Sequence, residues 1–320
     1  MRAALAAVFL SPAASVAASD FRLDLPIDCV PGETCYIQRY VDHDPGPGVR
    51  DFRCGALSGD DHKGTDFALH TLADMRRGVE VRAAAPGEVV GMRDGMPDRL
   101  YTPTHAAEID GLECGNGVVL RHDTGWETQY CHLKSGSVRV ETGDQVVAGG
   151  VLGQVGLSGL TNFPHVHLSV RKDGTEIDPF RPEAGAGCAA PTVSLWRETP
   201  EYTPGGLIYA GFADHVPDLD AIADGTAAMP DIGPDADALV LFAFAYAGQV
   251  DDIIMLSIEG PDETVIKTDM TLDKAQVRFF RAAGKRLTRP EWPSGSYRGT
   301  AILLRNDEEL DRRIVHLVLP

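Results

Sequence analysis

The segment TNFPHVHLSV, residues 161–170, places His165 and His167 one residue apart inside an apolar, β-branched run. In a strand, side chains two apart point to the same face, so these imidazoles share one surface. Upstream, HKGTDFAL presents His62 and Asp66 as H-x-x-x-D, and YCHL sets His132 beside a strand end. Imidazole nitrogens and a carboxylate oxygen are a natural donor set for zinc. Three protein ligands with a fourth position open define a hydrolytic site, whereas a structural site is closed and more often uses cysteines. Each piece alone has an ordinary explanation, a loop ion pair for H-x-x-x-D and a satisfied half-buried residue for His132. Their combination within one region carries the weight. There is no H-E-x-x-H, which sets aside the helical zinc-protease arrangement.

The elements that must position these residues are short strands. Over residues 57–180, EVRAAAPGEVVGM, GNGVVLRHD, WETQYCHL and HVHLSV alternate or are β-branched, with glycines between them. Helical periodicity is confined to LADMRRG, a short helix at most. Residues 92–113 break the rhythm as a long loop, of the kind that forms a lid or a binding wall. Residues 19–56, rich in Asp, Pro and Gly, read as an irregular wrap. A Pro/Gly-rich passage from Pro182 to Pro204 puts a domain boundary near 190. Beyond it, six short strand-like runs separated by turns predict an immunoglobulin-like β-sandwich. The chain therefore reads as all-β: a β-sheet domain over 57–188 and a β-sandwich accessory domain over 190–320.

Of the remaining histidines, His70, His122, His215 and His316 lie in no ligand spacing and read as ordinary surface or strand residues. His43 sits in DHDPG, which reads as a turn and could otherwise bind a cation loosely, and His105 lies on the long loop, from which it could reach a cleft.

With 320 residues, 43% hydrophobic and 24% charged, the composition is that of a globular protein with a core. A net charge of −18 argues against nucleic acid and anionic membranes as partners. The N-terminus carries Arg2, an apolar run from Ala3 to Leu10 and Val16-Ala17-Ala18 before Ser19, which reads as a signal peptide over residues 1–18. No later window reaches the roughly 18 uninterrupted apolar residues of a membrane span. Six cysteines, none in a C-x-x-C pair, imply disulfides in an exported chain. Many pairings are possible, and two stand out. Cys29 and Cys35 enclose VPGET. Cys114 and Cys131 flank two strands around a turn at Asp123-Thr124-Gly125, in a register that sets the two cysteines opposite each other. Cys54 and Cys188 remain as a third pair.

From about residue 55 to 180, GDDHKGTDFAL, APGEVVGM, GNGVVLRHDTGWETQYCHLKSGSVRVETGDQVVAGGVLGQVGLSG and PHVHLSV resemble the lysostaphin-type zinc endopeptidases, metallopeptidase family twenty-three. Those enzymes cut peptide cross-links of peptidoglycan. The resemblance implies that His62, Asp66 and His167 hold Zn2+, with His132 and His165 as catalytic histidines beside it. A zinc-activated water would attack the peptide bond. One histidine would accept its proton and the other stabilise the oxyanion, the division between them left open. It also implies a periplasmic or extracellular enzyme whose partners are peptidoglycan peptides, with the sandwich free to take a further ligand. All five positions are filled, unlike in degenerate family members. The 19–56 segment, the 92–113 loop and the sandwich depart from the family and leave substrate choice open. Two other readings compete. One is a non-catalytic cell-wall-binding or regulatory module on the same scaffold. The other is a carrier hairpin over VETGDQVVAGGVLGQVG, which would need an exposed lysine where Gly149-Gly150 or Asp144 stand.

Overall fold

The computed structural model describes residues 21–183, 188 and 193–320; the leader read over 1–18 lies outside them. The first half contains β1 (Cys35–Arg39), β2 (Thr65–Leu69), β3 (Glu80–Arg82), β4 (Gly87–Arg93), β5 (Asn116–Arg121), β6 (Trp126–Leu133), β7 (Gln145–Val146), β8 (Val151–Gln154), β9 (His165–Lys172) and β10 (Thr175–Glu176). Eight of these form one sheet in the order β1-β2-β9-β6-β5-β4-β7, with β10 on β9, while β3 pairs with β8.

Period-two alternation places the site. In the antiparallel ladder of β2 and β9, Asp66 faces His167 and Ala68 faces His165. Their neighbours Phe67, Val166 and Leu168 turn to the opposite face, where they are fully buried with Tyr130, Val118 and Leu120. One face of the sheet is core and the other carries the chemistry. The small Ala68 leaves room for the ring across from it. LADMRRG forms the expected short helix, α1 (Leu72–Arg77), started by a capping box between Thr71 and Asp74.

Two expectations are corrected. Residues 19–56 are not wholly irregular, because CYIQR is the edge strand β1, paired with β2. This short run of strand-favouring residues was hidden by the Asp, Pro and Gly around it. The β5–β6 hairpin also has a different register: Val118 faces Tyr130 and Leu120 faces Thr128, with a shift before Asn116 and Leu133. The turn centred on Thr124 sets that register, and it leaves Cys114 ahead of the strand. Cys131 instead faces His167 of β9. The disulfide nonetheless forms, with Cα atoms 4.8 Å apart, and so do Cys29–Cys35 and Cys54–Cys188.

The long loop is tied down. Asn116 brackets Met96 through its backbone N and O at 2.8 Å each, and the Asp98 carboxylate accepts from the N–H groups of Leu157 and Ser135. It contains one short helix, α2 (Ala106–Ile109).

The second half contains β11 (Gly206–Ala213), α3 (Leu219–Asp224), β12 (Ala238–Gly248), β13 (Ile253–Glu259), β14 (Thr264–Thr271), β15 (Gln276–Arg286), β16 (Gly295–Arg305) and β17 (Glu308–Leu319). Sheets β11-β12-β15 and β14-β13-β16-β17 form the expected β-sandwich. Leu239, Leu241, Ala243 and Ala245 of β12 enter its core with Ile254, Leu256 and Leu303. The alternate residues Phe242, Phe244 and Tyr246 join the apolar cluster of the first half. A strand buried on both faces explains the unbroken run LVLFAFAY.

Candidate metal centre and catalytic cleft

Asp66 is the centre of the site. The residue is 2% exposed and three imidazoles converge on Oδ1: His167 Nδ1 at 2.8 Å, His62 Nε2 at 3.1 Å and His165 Nε2 at 3.4 Å. His167 and His165 come from β9, and His62 from the turn before β2. Donor atoms of His62, Asp66 and His167 lie within 4.8 Å of one another. Burial alone would push the Asp66 carboxyl up, but the surrounding imidazoles outweigh it and hold the group well below the usual carboxylate range. Burial also pulls His167 down, whereas at His62 the Asp66 charge overcomes burial and raises it.

The donor set fits a cation. A carbonyl can only accept, so the Tyr40 carbonyl, 2.8 Å from His62 Nδ1, assigns the proton to that nitrogen. Nε2 then faces the Asp66 carboxylate oxygen at 3.1 Å, a pair that a proton or a metal ion can bridge. At His167 the outer nitrogen Nε2 lies 3.1 Å from Ser169 Oγ, leaving Nδ1 to face Asp66. Outer contacts of this kind orient metal-binding histidines and fix their tautomers.

The two flanking histidines are held by the same logic. His132 donates from Nδ1 to the Ser158 carbonyl at 2.8 Å, which leaves Nε2 as the lone-pair nitrogen. Burial keeps its ring neutral well below the ordinary histidine value. Its φ of 65° is a left-handed conformation uncommon outside glycine. Backbone bonds on both sides hold it there, from its N–H to Cys114 O at 2.8 Å and from Gly156 N–H to its carbonyl at 3.0 Å. His165 donates from Nδ1 to Phe163 O at 3.0 Å and stacks on the Phe163 ring at 4.2 Å. The rings of His132 and His165 are 4.6 Å apart. Arg278, from β15 of the sandwich, lies over the Phe163 ring, 5.4 Å from its centroid.

All five residues line one open cleft of about 820 Å³, with Tyr101 of the long loop and both cysteines of the 114–131 bridge on its walls. His105 does not reach it and lines a neighbouring cavity. His43 pairs with Asp178 at 2.7 Å. His122 is a buried structural residue, bonded to Pro86 O and Thr128 Oγ1.

Sequence reasoning missed the carbonyls of Tyr40, Ser158 and Phe163, since every residue carries one. It also missed Gly64, for which the HKGTD motif held a signal. A Cβ there would lie 2.5 Å from His167 Nε2 and 2.6 Å from the Leu168 carbonyl oxygen. Backbone cannot yield, so the His167 ring must. Gly64→Ala is expected to weaken whatever metal binding His62, Asp66 and His167 support about 10–100-fold, the cost of losing an outer contact of a metal ligand. Competition of the purified variant with a chromophoric chelator measures it, and an unchanged affinity would show that the loop relaxes freely.

Residues 60–179 match Peptidase family M23. That stretch is an M23 peptidase domain. Curated relatives share it. The cell division protein DipM of Caulobacter vibrioides is 40% identical over 118 residues, covering 37% of this chain and 18% of that protein. The DD-carboxypeptidase/endopeptidase Mpg of Neisseria meningitidis serogroup B is 30% identical over 141 residues, covering 43% of this chain and 25% of that protein. The chain thus spans a quarter or less of the length of these relatives. Among solved structures, the catalytic domain of lysostaphin from Staphylococcus simulans is 23% identical, covering 44% of this chain and 85% of that one, with a TM-score of 0.29. A zinc-containing peptidase from Vibrio cholerae is 21% identical, covering 50% and 38%, with a TM-score of 0.30. The M23 domain comprises all five site residues, while β1, the Cys29–Cys35 bridge and the sandwich lie outside it.

Proposed function

We propose that the chain is a zinc-dependent endopeptidase that hydrolyses peptide bonds of peptidoglycan cross-links, acting as an exported protein in the periplasm or outside the cell. The observation that carries this reading is the convergence of His62, Asp66 and His167 on one point beside two imidazoles with assigned tautomers. A regulatory module would need neither. The M23 domain and the name of the Mpg relative support a peptidase acting on cell-wall peptides. Among the described residues no helix is long and apolar enough to cross a membrane.

In this reading His62 offers Nε2, His167 offers Nδ1 and Asp66 its carboxylate to Zn2+. Bound there, zinc supplies Lewis acidity, which makes water a nucleophile at neutral pH and polarises a peptide carbonyl. The protein's own groups do the rest. His132, kept neutral by burial, accepts the proton of the attacking water at Nε2 and returns it to the leaving amine. His165, braced by Phe163 and Thr161, presents Nε2 across the same space, to hold the water or, when protonated, to donate to the oxyanion. Tyr40, Ser158 and Phe163 keep the three rings from turning. The open cleft accepts an extended peptide.

Digestion of purified peptidoglycan tests the proposal. Mass spectrometry should show cross-linked fragments disappearing as new amino termini appear, with the reaction stopped by a chelator. Intact cross-links after incubation with the zinc-loaded protein would refute it.

A further inference from the structure

The row of side chains across the sheet continues past Asp66. On the side away from His167, β1 sets Arg39 directly opposite Asp66, so Arg39, Asp66, His167 and Cys131 stand in one cross-strand row. A bulge decides this. The pairing runs Cys35↔Leu69, Tyr36↔Ala68, Ile37↔Phe67, and unbroken it would place Gln38 opposite Asp66. The register shifts between Ile37 and Arg39. The extra residue leaves Gln38 buried and brings Arg39 to the active face, as bulges beside active sites do.

Arg39 lines the same cleft as the five site residues, as do Lys63 and Arg171. Those two cations are engaged. Lys63 pairs with Asp61 at 3.2 Å, and Arg171 bonds Glu127, Glu176 and Gln129. The Arg39 side chain has neither a hydrogen bond nor an ion pair among the described residues. Its guanidinium passes over Gly59, where a Cβ would lie 3.5 Å from it. An unpaired guanidinium fork matches a carboxylate, which it binds through two parallel charge-assisted hydrogen bonds.

We propose that Arg39 is the carboxylate-binding residue of this cleft, so that the preferred substrate carries a free carboxylate within one or two residues of the bond that is cut. The spacing follows from geometry: neighbouring strands lie about 4.8 Å apart, and an extended peptide advances about 3.3 Å per residue. The carboxylate is either the terminal one of a peptide or a side-chain one on a cross-link residue. The assignment rests on the peptidase reading and adds the substrate's chemistry to it. Arg39 lies outside the M23 match, so it is a feature of the N-terminal segment of this chain.

Two matched pairs of cross-linked stem peptides test it. One pair differs only in a terminal carboxylate against carboxamide, and the other only in a side-chain carboxylate against carboxamide. Zinc-loaded wild type, Arg39→Gln and Arg39→Lys are compared by kcat/KM, with zinc content measured for each. The wild type should prefer the carboxylate in one pair by about 10–100-fold, the worth of a hydrogen bond to a charged group, and that pair names the source. Arg39→Gln should lose the preference and Arg39→Lys should keep part of it. Equal cutting of both members of both pairs by the wild type would overturn the proposal alone, as would a preference retained in Arg39→Gln. A wild type that cuts none of the four peptides would overturn the peptidase reading, and this proposal with it.

Discussion

Asp66→Ala is expected to lose zinc and hydrolysis together. The carboxylate is the one group that all three nearby imidazoles face, at 2.8, 3.1 and 3.4 Å, and it is shut off from solvent. Without it two neutral ring nitrogens remain, and no negative charge offsets the desolvation of a divalent ion. The loss in affinity should exceed the roughly 10–100-fold caused by removing an outer contact. Asp66→Asn separates charge from shape: it keeps the side-chain volume and an acceptor oxygen, so the fold stays and the metal does not. Metal analysis after dialysis, with circular dichroism on the same sample, gives the answer. A zinc-loaded, active Asp66→Asn protein would remove Asp66 from the site.

Substitution at His132 should do the reverse, keeping zinc and losing about 10²–10⁴-fold in kcat, the usual worth of a general acid–base group. The choice of variant matters, because His132 has φ of 65°. Alanine strains that backbone, whereas asparagine, like histidine, tolerates the left-handed region. His132→Asn should therefore leave the bonds to Cys114 and Gly156 in place, and its amide cannot take a proton at neutral pH. A variant that holds zinc and cuts peptidoglycan at the wild-type rate would pass the proton-accepting role to His165. One that loses zinc would place His132 among the ligands.

The positions of His165 and His167 were legible because a strand alternates faces, and two residues of separation is enough to put both rings on one side. Asp66 and His62 were legible as a spacing. The sandwich was legible from its turns, and the double burial of β12 from its unbroken apolar run. Tertiary contacts hid the rest. The Cys114–Cys131 bridge was anticipated, but from a register that the turn at Thr124 does not give. A bridge between a strand and the residues ahead of its partner leaves no trace in alternation. Strand β1 was masked by the composition around it. The carbonyls that assign the tautomers of His62, His132 and His165 come from residues whose own side chains are unrelated to the chemistry.

Stepwise return of zinc to chelated wild-type protein, recording bound metal and peptidoglycan hydrolysis on the same samples, tests the central claim most directly. Hydrolysis should be absent without metal, rise in proportion to zinc and stop rising at one ion per chain. Hydrolysis that persists in the metal-free protein, or zinc that binds at one per chain without producing any, would contradict the account.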